Sequence, residues 1–99
     1  MRSKPVSRAA QAAITTAGHA FAIPSANPIR QFKLKVSAAA FVGIGTVLSP
    51  IPAAATSNTT YQDAGELVYT LNGTPQTDGS HLYVYAQSST IDAEVSYYG

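Results

Sequence analysis

Leu82-Tyr83-Val84-Tyr85-Ala86-Gln87, followed after Ser88-Ser89-Thr90 by Ile91-Asp92-Ala93-Glu94-Val95-Ser96-Tyr97-Tyr98, sets the fold class of this chain. Leu82, Val84 and Ala86 alternate with Tyr83, Tyr85 and Gln87, and Ile91, Ala93, Val95 and Tyr97 alternate with Asp92, Glu94, Ser96 and Tyr98. A period of two in apolar, β-branched and aromatic residues is the signature of a strand with one buried face. A third such run stands upstream, where Leu67, Tyr69 and Leu71 alternate with Glu66, Val68 and Thr70. Asn72-Gly73 and Asp78-Gly79 mark turns between the first two runs, and Ser88-Ser89-Thr90 is a hairpin-length link between the last two. The pattern predicts a small all-β unit, a three-strand antiparallel meander over residues 66–98.

Working outward, the composition changes near residue 56. All six basic residues of the 99 lie in the first 57 positions (Arg2, Lys4, Arg8, Arg30, Lys33, Lys35), and all five acids lie beyond them (Asp63, Glu66, Asp78, Asp92, Glu94). The net charge of +1 is therefore the sum of two unlike halves. Phenylalanine (Phe21, Phe32, Phe41) is confined to the first half and tyrosine to the second. The chain has no cysteine, which excludes disulfides, thiolate metal sites and a Cys nucleophile. No internal repeat is visible in the residues.

The border has the parts of a secretory signal. Basic Lys33 and Lys35 precede an uncharged run from Val36 to Leu48, then Pro50 and Pro52, then Ala53-Ala54-Ala55. Cations held on the cytoplasmic side, a short apolar helix, a proline break and small residues at a cleavage site would act in that order. This reading divides the chain into a disordered basic leader over 1–35, an apolar helix at about 36–48 within a cleavage region ending at 55, and an acidic β segment over 56–99. Ala53 and Ala55 flank the expected cut, and Thr56 becomes the mature N-terminus. The membrane is then a partner during export. The destination is the cell envelope or the exterior, with an organelle lumen reached by bipartite targeting as an alternative. A second alternative keeps 36–55 as a single-pass anchor with the C-terminus outside.

A 44-residue sheet without cysteine has little core of its own. The expected remedy is self-association, or a protein partner, at open strand edges. The segment could equally be the beginning of a larger secreted hydrolase or carbohydrate-binding domain. Tyr83 and Tyr85, on the face opposite Leu82, Val84 and Ala86, form a candidate binding face of stacked phenols. Asn58 and Asn72 open glycosylation sequons, which matter only on a eukaryotic secretory route.

Chemistry has few footholds. Asp92 and Glu94 are two apart and share one strand face, which a solvated surface explains better than a hydrolytic pair. Asp78, Ser80 and His81 contain triad residue types, but adjacency along a chain is not the spatial convergence a triad needs. No spacing suggests a metal site, no motif suggests a cofactor, and no catalytic residue is expected. The acidic half repels phosphate, so nucleic acid is not an expected partner. The functional expectation is an exported β protein that binds or associates without catalysis.

Overall fold

Gln31-Phe32-Lys33-Leu34-Lys35-Val36 carries the same two-residue period as the tyrosine-rich runs, with Phe32, Leu34 and Val36 buried and Gln31 and Lys35 exposed. The computed structural model describes residues 7–24, 29–45, 59–70 and 81–98. Eight strands occur among the described residues: β1 (Ser7–Ile14), β2 (His19–Ala22), β3 (Gln31–Val36), β4 (Ala40–Gly45), β5 (Thr60–Gln62), β6 (Gly65–Thr70), β7 (His81–Ala86) and β8 (Ile91–Tyr98). They form two four-stranded antiparallel sheets, ordered β1-β8-β3-β6 and β2-β7-β4-β5. The protein is a small all-β molecule.

The three strands expected from alternation are present, at 65–70, 81–86 and 91–98. The meander is not. β6 and β8 lie in the first sheet with β3 between them, and β7 lies in the second, so none of the three pairs with another. The reason is supply of better partners from the first half: Phe32, Leu34 and Val36 stand directly across from Tyr97, Val95 and Ala93, extending an apolar inner face that the meander lacked.

The helix expected over about 36–48 is also replaced, as far as the described residues reach. Val36 closes β3, and Ala40-Phe41-Val42-Gly43-Ile44-Gly45 is β4. Two glycines and two β-branched residues in six positions disfavour a helix and suit a pleated surface. Residues 7–14, 19–22 and 31–36 of the basic stretch are likewise strands. Ala53, Ala55, Thr56, Asn58 and Asn72 lie outside the described residues. Among the described residues no helix is long and apolar enough to cross a membrane.

The core lies between the sheets, where Phe32, Leu34, Val95 and Tyr97 of the first meet Phe21, Val42, Leu82 and Val84 of the second. Two features pin one end. Ser37 N–H donates to the Asp92 carbonyl at 2.9 Å, and Asp92 N–H donates to Ser37 Oγ at 2.8 Å. Beside them the β1·β8 register shifts between Gln11 and Ile14, where Ala13 adopts φ +55° and gives its N–H to Asp92 Oδ1 at 3.1 Å. That is a bulge, one strand gaining residues over its partner.

Candidate functional site

β6 is the edge of the first sheet, paired among the described residues with β3 alone. It exposes apolar side chains on both faces: Leu67 is 46% exposed and Val68 51%. Leu67 shares the inner face with Tyr69, because each stands across from a buried residue of β3, Leu34 and Phe32. It stays open because β5, the strand at the same end of the second sheet, has three residues against the six of β6. An edge strand of this length with apolar residues on both faces is a template for another strand.

Tyr69 is held in place rather than left to swing. Its ring stacks on Phe32 at 4.8 Å between centroids and 16° between planes. Its hydroxyl donates to Gln62 Oε1 at 2.5 Å, while Gln62 Nε2 donates to the carbonyls of Leu34 at 3.0 Å and Gly65 at 3.2 Å. Gln62 is buried, so every polar atom of its amide is satisfied inside the protein, tying β5 to the first sheet. Burial pushes the Tyr69 phenol above its usual pKa. A cleft of about 280 Å³ opens beside this pair, lined by Phe32, Val42, Gly43, Ile44, Thr60 and Tyr69. Ile44 at its rim is 41% exposed. At the centre of β5, Tyr61 packs edge-on against Phe41, and a hydrogen bond with Asp63 raises its phenol pKa.

Tyr83 and Tyr85 do lie on the face opposite Leu82, Val84 and Ala86, with ring centroids 6.3 Å apart. They are not an exposed stripe: Tyr83 is 3% exposed and Tyr85 not at all. Each ring lies against a glycine backbone, Tyr85 over Gly18 and Tyr83 over Gly45, so closely that a methyl at either glycine would stand 2.5 Å or 2.8 Å from the ring. The phenols are packing elements of the second sheet. Their partners are far away in sequence, which is why alternation found the face but not its burial.

Asp92 and Glu94 share the outer face of the first sheet, on the wall of a cleft of about 450 Å³ with Ala10, Gln11, Lys35 and Ser37. Asp92 holds the bulge through Ala13 N–H, and Glu94 stands across from Lys35. Both carboxylates thus have structural employment. His81 begins β7, apart from these carboxylates in the other sheet, and Asp78 and Ser80 lie outside the described residues. His19, edge-on to Phe21 at 4.7 Å, has its pKa lowered by burial. Among the described residues no group of three His, Asp or Glu side chains could hold a metal ion.

Comparison with protein-family models, with curated proteins and with solved structures finds no match for this chain.

Proposed function

We propose that the protein acts by association, through the open edge of β6, and performs no chemistry of its own. The observation that carries this reading is the exposure of Leu67 and Val68 on opposite faces of one edge strand. The occupant we assign is a second copy of the chain. Gly65-Glu66-Leu67-Val68-Tyr69-Thr70 is nearly self-complementary when two copies run antiparallel about Val68. Val68 then meets its own copy, Leu67 meets Tyr69 and Glu66 meets Thr70, so apolar residues pair and the carboxylates stay apart. The two-fold axis keeps each inner face on the same side, giving one continuous eight-stranded sheet.

Where the protein works is argued from sequence alone. The basic flank, the uncharged run, the proline break and the small residues at 53–55 support export to the envelope or beyond. Strand pairing supports the full-length chain as the working form, because a cut after Ala55 would separate β1–β4 from all their partners.

Val68→Lys tests the edge, since it places two like charges opposite each other at the centre of the interface. Sedimentation should show the parent chain dimerising with concentration and the variant monomeric, both with the same β-sheet circular dichroism. A parent chain that stays monomeric at several hundred micromolar (~10⁻⁴ M and above, a free energy of about 5 kcal/mol) rules out the edge dimer.

A further inference from the structure

Every strand pair in both sheets joins the first half of the chain to the second. β1 pairs with β8, β3 with β8 and β6, β2 with β7, and β4 with β7 and β5. Among the described residues no strand of 7–45 pairs with another of 7–45, and none of 59–98 with another of 59–98. The order also has a hidden symmetry. Exchanging the two sheets and reading each from its other end carries β1-β8-β3-β6 into β5-β4-β7-β2, the second sheet itself. Each half therefore follows the same route through the sandwich, interlocked with the other.

The charges follow the halves. Described positions of the first carry Arg8, Arg30, Lys33 and Lys35 with no acid, and those of the second carry Asp63, Glu66, Asp92 and Glu94 with no lysine or arginine. These groups meet across the boundary: Lys33 Nζ lies 3.9 Å from Glu66 Oε2, and Lys35 stands between Glu66 and Glu94. The remaining cross-links run the same way, with Ala86 N–H donating to the Thr15 carbonyl, Gln87 N–H to Ala39 and Arg30 N–H to Tyr98. The two halves share the route but carry opposite charge, whereas two copies of one half carry the same charge, so like pairing is opposed and unlike pairing favoured.

We infer that residues 7–45 and 59–98 are a matched pair of binding partners, and that a second copy of the chain can supply either one, producing an exchanged dimer with the same strand pairs. Exchange alters none of the strand pairs described above; it changes only which chain carries each partner. The closed monomer is favoured by tethering through the thirteen residues 46–58, which holds the halves at an effective concentration on the order of 1 mM. Exchange therefore belongs to refolding or synthesis at high local concentration, not to dilute native protein.

The chain lacks cysteine, so an engineered disulfide reports the pairing without background. Arg8 and Ser96 face each other across β1 and β8, and directly opposed antiparallel residues, with Cα atoms roughly 4.5–5.5 Å apart, lie within disulfide reach. Arg8→Cys and Ser96→Cys are placed in separate full-length chains, both carrying Val68→Lys to remove edge association. The two are unfolded, mixed, refolded over concentrations from about 10 µM to about 1 mM and oxidised. The expected product is a covalent dimer joining position 8 of one chain to position 96 of the other, in excess over chance pairing and rising with concentration. Cross-linking at the chance ratio, or none at the highest concentration, overturns the inference. A single chain carrying both cysteines must close on itself in dilute solution; failure there overturns the register from which the inference starts.

Discussion

Across the outer face of the first sheet, Arg8, Ser96, Lys33 and Val68 stand in one row, and Ala10, Glu94, Lys35 and Glu66 in the next. On the second sheet the corresponding rows read Ala20, Tyr83, Gly43 and Tyr85, Phe41, Tyr61. One face carries charges that remain partly in water, the other a set of rings of which Tyr83 and Tyr85 are collapsed onto glycine. The contrast shows how two sheets of one period-two alphabet reach different ends. Long charged chains cover a surface without needing fixed neighbours, whereas the outward rings of Tyr83 and Tyr85 are buried where each lies against a residue without a side chain.

The largest effect should come from breaking the ring face. Gly18→Ala meets two obstacles: φ is +93°, which side-chain-bearing residues seldom adopt, and the new methyl stands 2.5 Å from the Tyr85 ring. Left-handed strain and overpacking together should cost about 3 kcal/mol, read as a lowered denaturant midpoint. Tyr85→Leu in the same chain removes the clash but not the backbone strain, so the double variant should lose less than the sum of the two singles. Additivity would mean that ring and glycine do not interact.

How much of this was legible beforehand follows from the same contrast. β6, β7 and β8 could be read within a residue or two because each alternates by itself. β3 alternates as clearly, yet its lysines sit beside an uncharged run, and the two together have the composition of an export signal. β1, Ser-Arg-Ala-Ala-Gln-Ala-Ala-Ile, has almost no strand propensity; it is a strand because β8 offers a complementary edge. Pairing was the illegible part. A charge division along a sequence looks like a boundary between two modules, and only the strand order shows it to be complementarity between two interleaved halves. The Tyr83 and Tyr85 face was legible in direction but not in burial, since Gly18 and Gly45 reach it from β2's approach and β4's end. The β6 edge was legible only as the general expectation of an open strand.

A middle-sized effect distinguishes two tyrosines on the inner face of the first sheet. Tyr69 reaches Gln62, whereas the Tyr97 hydroxyl is buried with no hydrogen-bond partner among the described residues. Burial raises the Tyr97 phenol far above its ordinary value near 10. A phenol whose folded pKa exceeds its unfolded one supports folding fully below pH 10, and the support is lost as pH rises beyond it. Stability should therefore fall above pH 10 by up to about 1.4 kcal/mol per pH unit from this group. Tyr97→Phe removes an unsatisfied oxygen, so it should be neutral or stabilising by about 1 kcal/mol at pH 7, and should flatten the alkaline loss. A Tyr97→Phe variant with an unchanged alkaline limb would place the titrating group elsewhere.

The smallest effect is expected on the charged face. Lys33 and Glu66 are 3.9 Å apart, but the Glu66 side chain is about half exposed, and water screens the pair. Glu66→Gln should cost no more than about 0.5 kcal/mol, an amount that shrinks further as salt rises toward ~1 M. Charge reversal asks a different question. Lys35 lies between Glu66 and Glu94, so Lys35→Glu sets three carboxylates in one row across β8, β3 and β6. Its thermodynamic penalty should remain modest beside that of Gly18→Ala, yet it should slow refolding and weaken cross-linking between position 8 and position 96 of separate chains. That separation of effects follows if these charges choose which strands meet more than they hold them once met. An unchanged cross-linking yield in Lys35→Glu would leave the apolar faces alone responsible for the choice.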